Sequence, residues 1–86
     1  MILILYKIDR RKEKIKLFDK HFIENNKDIC YIIIEGEKCE LKEYFNHEFY
    51  NNNKLEIKLK GIDNINDLSY MLDGCSTLLS LHDIWK

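Results

Sequence analysis

Three cysteines and three histidines are the side chains with the widest chemical range in this chain: Cys30, Cys39 and Cys75, with His21, His47 and His82. Zinc would take thiolate and imidazole ligands, normally from closely spaced pairs such as C-x₂₋₄-C. Here Cys30 and Cys39 are nine positions apart, across an expected hairpin, and Cys75 and His82 are seven apart. Neither spacing is a ligand knuckle, but a hairpin can bring Cys30 and Cys39 together. A small zinc-binding domain using Cys30, Cys39 and a histidine is therefore kept as the alternative reading. Nucleophilic catalysis needs a Cys or Ser beside a base that a third group orients. No motif of that kind surrounds any cysteine, no G-x-S-x-G occurs, and three glycines cannot build a phosphate cradle. No enzyme activity and no cofactor are expected. Arg10, Arg11, Lys12 and Lys14 make a basic tip to which phosphates could bind. Asp9 and Glu13 dilute it, and a solvated turn is the expected role, with no nucleic-acid partner.

The elements that must position these groups follow from hydrophobic period. The chain has 86 residues, 45% hydrophobic and 12% aromatic, enough for one domain with a core. Its 14 basic and 15 acidic residues nearly cancel, so no overall field draws it to nucleic acid or to an anionic membrane. Ile, Lys and Asn are over-represented, as in AT-rich coding, which lowers the weight of any single Lys or Asn. The run Ile2–Tyr6 is far shorter than the ~20 residues of a membrane span. It is also too short for a secretory segment, so a strand, no membrane insertion and a cytoplasmic setting with reduced thiols are expected.

Residues 2–18 read as a β-hairpin: one strand through Ile8, a charged turn at 9–13, and a second strand in which Ile15 and Leu17 alternate with Lys14 and Lys16. His21, Phe22 and Ile23 read as a turn or anchor and Glu24 through Asp28 as a polar loop. Ile29–Ile34 reads as a strand buried on both faces, and Glu35-Gly36-Glu37 as the turn of a second hairpin that Cys39 and Leu41 complete. The spacing of Leu41, Tyr44, Phe45 and Phe49 predicts a short helix over 42–50, and Asn51–Asn53 a polar loop. Leu55, Ile57 and Leu59 alternate with Glu56, Lys58 and Lys60 as a strand that Gly61 closes. A helix is expected over 66–73, with Asn66 as N-cap and Gly74 as terminator, and then a strand through Leu78, Leu79 and Leu81.

The C-terminal third carries a repeat. A shift of 22 residues places Ile57 on Leu79, Leu59 on Leu81 and Ile62 on Ile84, a period inside the leucine-rich-repeat range. The wording is more specific than the period: Met71-Leu72, then Gly74-Cys75-Ser76, then Leu78–Leu81, Asp83 and Trp85. This stretch resembles the BspA-type leucine-rich-repeat family, in which an Asn-rich turn, a Met-Phe pair, Gly-Cys with small residues and a Leu-rich strand recur. His82 stands where that family often has proline. Ile15-Lys16-Leu17-Phe18, Phe22–Lys27 and Tyr44-Phe45 are similar to the leader that precedes such repeats. The resemblance implies a single α+β domain over 1–86: a hairpin-rich leader at 1–50, then one strand–helix–strand unit at 55–86. It also implies a non-catalytic protein–protein interaction module, a minimal or truncated member of the family. One repeat cannot bury its own apolar face. The leader, a second copy or another protein must cover it, and Leu79, Leu81 and Trp85 are the expected contact residues.

Overall fold

The computed structural model describes residues 1–61 and 71–83. It is a small α+β fold of seven strands and one short helix among those residues. In chain order they are β1 (Ile2–Lys7), β2 (Lys14–Lys16), α1 (Lys20–Asn26), β3 (Tyr31–Ile34), β4 (Glu37–Cys39), β5 (Tyr44–Asn46), β6 (Lys54–Lys60) and β7 (Leu78–Asp83). Five strands form one antiparallel sheet in the order β4-β3-β6-β1-β7, and β2 and β5 form a separate two-stranded ribbon.

The placement of β1 follows from its composition. A strand with Ile2, Ile4 and Tyr6 on one face and Leu3 and Leu5 on the other does best with a neighbour on each side. It has them: Ile4 lies opposite Ile57 of β6 and opposite Leu81 of β7. The rows Ile32–Leu59–Ile2 and Ile34–Ile57–Ile4–Leu81 then run across the sheet on its inner face. Ile15, Leu17, Phe18, Phe22, Leu41, Met71 and Cys75 close over those rows, and all are buried. The Tyr6 hydroxyl reaches through this core and donates to the Leu17 carbonyl, which satisfies its one polar atom.

The first expected hairpin does not form. Both of its strands exist, but Ile15 pairs with Phe45 of β5, because β1 is taken on both sides by β6 and β7. The helix expected over 42–50 is also corrected. Tyr44–Asn46 is a strand, and helical spacing there marked separate anchors: Leu41 is buried, Phe45 half-buried, and Phe49 90% exposed. Residues 20–26 are helical where a turn and loop were expected. Asp19 caps them, its carboxylate accepting from the His21 and Phe22 amides at 2.9 and 3.3 Å. Phe18 stacks on Phe22 with ring centres 5.7 Å apart. The strand expected from Ile29 starts at Tyr31 and alternates, with Ile29 64% exposed.

The second hairpin forms, although Glu37 is already part of β4 and Leu41 lies beyond it, and it is joined by a two-residue turn with φ of 52° at Glu35 and 81° at Gly36. Two consecutive positive φ values are the type I′ signature that suits strand twist. Gly61, which closes β6, has φ 98°, and a Cβ there would collide with the Ile29 carbonyl oxygen and come within 3.0 Å of the Cys30 Cα. Only glycine fits this approach. The helix expected over 66–73 falls mostly outside the described residues, and Met71–Gly74 is a turn. The strand expected at 78–81 is β7.

Candidate functional site

The candidate site is built from the elements at one end of the sheet. β7 is the outermost strand on its side, and among the described residues nothing pairs with its outer edge. Its register with β1 shifts between Leu5 and Tyr6: Ser80 lies opposite Leu5 and Leu78 opposite Tyr6, so Leu79 is the extra residue of a β-bulge. The bulge explains the exposure of Leu79, at 48%, in a strand whose Leu78 and Leu81 pack on the core. Of the expected contact residues, then, Leu79 faces water, Leu81 is half-buried against the core, and Trp85 lies outside the described residues. The main-chain bond from the Lys7 amide to the Thr77 carbonyl, 2.8 Å, fixes the start of β7 against the end of β1.

The two strands of the expected repeat unit, β6 and β7, are not neighbours in the sheet. Both run antiparallel to β1, which lies between them. The turn that resembles the repeat wording does supply core: Met71 is fully buried and Cys75 is 8% exposed. The Asp19 amide donates to the Met71 carbonyl at 2.7 Å, which ties this turn to the capped end of α1.

The other reactive groups are distributed. Cys30 and Cys39 line one open hollow of about 370 Å³ with Asp28, Tyr31, Lys38 and Glu40, and no histidine lines it. His21 is on α1, His47 is buried after β5, and His82 is exposed on β7. No group of three or more His, Cys, Asp and Glu side chains is gathered among the described residues. Burial pushes the Cys30 thiol up. Cys75 is pushed up to about 11, by burial first, with Asp19 and Asp73 adding to it and Lys16 opposing. Burial raises Tyr6 as well. A raised thiol stays protonated at neutral pH and is a poor nucleophile and ligand. The hydrogen bonds of these thiols run to backbone carbonyls, Cys39 to Glu37 at 3.6 Å and Cys75 to Asp73 at 4.0 Å.

The basic tip read from the sequence is largely consumed inside the fold. Arg10 donates to three carbonyls, of His47 at 3.2 Å, Tyr50 at 2.7 Å and Asn52 at 2.9 Å, and so fastens the turn after β1 to the loop after β5. Arg11 pairs with Asp9 at 3.0 Å, and its hydrogen bond holds the Asp9 carboxyl below the usual carboxylate range. Lys14 sits over the Tyr44 ring, 4.4 Å from its centre.

No family model matches the chain, and no curated protein and no solved structure is significantly similar to it.

Sequence reasoning missed two surfaces. Phe49, read as part of a helix, is exposed beside a hollow of about 400 Å³ lined also by Glu35, Phe45 and Tyr50. The outward face of the five-stranded sheet gathers lysines from three separate strands, and only the pairing order brings them together.

Proposed function

We propose that this chain is a non-catalytic protein-interaction module whose contact edge is β7. One observation carries the reading: a six-residue strand, Leu-Leu-Ser-Leu-His-Asp, ends the sheet with no described strand beyond it, and Leu79 is exposed on a bulge. Unsatisfied main-chain donors and acceptors on such an edge pair with a strand of another chain, and alternate side chains add selectivity. The occupant is a strand of a protein partner or β7 of a second copy, with Leu79, Leu81 and Trp85 in contact. A minimal BspA-type unit is the finer form of the reading. Its support is the burial of Met71 and Cys75 in the turn that carries the family's wording, with β6 and β7 on either side of that turn in the sequence. No helix among the described residues is long and apolar enough to cross a membrane, and the free thiols fit a reducing compartment such as the cytoplasm.

The test is light scattering over a concentration series, with peptides of sequence 76–86 added in a second series. Mass that rises with concentration, or capture of the peptide, supports edge pairing. A constant monomer mass together with no peptide binding, in a chain whose Leu79→Lys variant behaves identically, overturns it. The zinc reading is favoured by the hollow that Cys30 and Cys39 share. Elemental analysis that finds one zinc per chain, lost in Cys39→Ser, would put that reading first.

A further inference from the structure

We propose that the outward face of the five-stranded sheet docks an acidic amphipathic helix of another protein. Side chains alternate along strands, so the residues opposite the buried rows share the outer face. The register gives one row as Lys38–Ile33–Lys58–Leu3–His82. Beside it lie Tyr31 with Lys60, Glu56–Leu5–Ser80, and Lys54 with Lys7. Among the described residues, five lysines against one glutamate leave this face four positive charges in excess, on a chain whose net charge is −1. The rest of the chain therefore carries an excess of five negative charges. Lysine is abundant throughout, so its number means little. Its placement on one face is the observation, and among the described residues none of these lysines forms a salt bridge.

Leu3, Leu5, Ile33 and Tyr31 are half-buried between the lysine stems. The face thus offers apolar contact at the centre and positive charge around it. A helix that lays leucines on β1 and β3 and carboxylates toward Lys7, Lys38, Lys54 and Lys60 matches both features. Five strands at about 4.8 Å spacing set the outermost axes about 19 Å apart, the length of a helix of roughly 13 residues.

Other occupants fit less well. Among the described residues Tyr31 is the only Phe, Tyr or Trp on the face, and Lys38 already lies over its ring at 4.4 Å. No arginine is present there, so base stacking and guanine readout lack their usual groups. Glu56 is exposed within the patch. A nucleic-acid backbone or an anionic bilayer must meet Glu56 with negative charge, whereas a helix can place one lysine opposite it. A second copy offering its acidic surface would join head to tail and would not close into a dimer.

The experiment is fluorescence anisotropy with three probes: a labelled Leu/Glu amphipathic peptide of about 18 residues, a single-stranded oligonucleotide of about 12 nucleotides, and phosphatidylserine vesicles. Binding of the peptide that weakens at least tenfold in Lys38→Glu/Lys58→Glu, and with Gln in place of Glu in the peptide, supports the proposal. Thermal melting confirms that the variant folds, and Lys20→Glu/Lys27→Glu on α1 is the charge-matched control that should leave binding unchanged. The proposal is overturned if the oligonucleotide or the vesicles bind more tightly than the peptide, if the control weakens binding equally, or if no probe binds.

Discussion

At one edge of the five-stranded sheet stands β4, three residues long, with Glu37 and Lys38 in water; at the other stands β7, six residues long, with Leu79 exposed at a bulge. Both edges face the same solvent, yet they differ in the devices that discourage pairing. β4 is short and charged, and its lysine is held over Tyr31. Among the described residues, the device on β7 is its bulge. The difference also extends inward. The β4 side is fixed by a two-residue turn and by the contact of Gly61 with Ile29 and Cys30. The β7 side is fixed through β1 and the Met71–Cys75 turn. One edge is therefore finished by local chemistry, and the other depends on distant parts of the chain.

The largest effect should come from breaking the finished side. Gly61→Ala places a methyl group against the Ile29 carbonyl at φ 98°, and a loss of about 3 kcal/mol or more is expected in urea unfolding. Arg10→Ala removes three carbonyl bonds that hold the loop after β5. A loss of about 1–3 kcal/mol is expected, with faster amide exchange at 47–53. In the opposite direction, Glu35→Asn relieves a glutamate held at φ 52° and should raise stability by about 0.5–1 kcal/mol, read in the same unfolding curves. Leu79→Lys should change monomer stability by less than about 0.5 kcal/mol. It should also remove any concentration-dependent association, because a charged edge resists pairing; an association that survives it would place the contact elsewhere.

The last effect is nil at neutral pH and appears only in alkaline solution. Cys75 has a raised folded-state pKa, from 9.0 to about 11. Folding then favours the protonated thiol, so the stabilisation is present below pH 9 and lost as pH rises from 9 to 11. Cys75→Ala should flatten that part of a stability–pH curve measured by thermal melting, relative to the parent chain.

The strands whose side chains alternate cleanly were legible: β6 through Leu55, Ile57 and Leu59, and the β3–β4 hairpin through its glycine turn. What sequence period does not carry is partner choice. β1 and β2 are adjacent in the chain, and a charged turn between two apolar segments reads as a hairpin, yet β1 pairs with strands about fifty and seventy-five residues away. α1 was missed although Asp19 before a phenylalanine-bearing turn is an N-cap signal. At the candidate site Leu79 was named, but its exposure comes from a bulge, and no residue type marks a bulge at that position. The lysine face was invisible for the same reason as the sheet order: Lys7, Lys38, Lys58 and Lys60 are neighbours only after the strands have paired.

The central position of β1 has a consequence for biogenesis. Its partners are residues 54–59 on one side and 78–83 on the other. At about 5–20 residues per second on the ribosome, the apolar segment Ile2–Tyr6 waits roughly 3–10 s before its first partner strand has been made. Folding cannot proceed from one end to the other. Its nucleus must join the two halves of the chain, and until then this apolar strand is a target for chaperones.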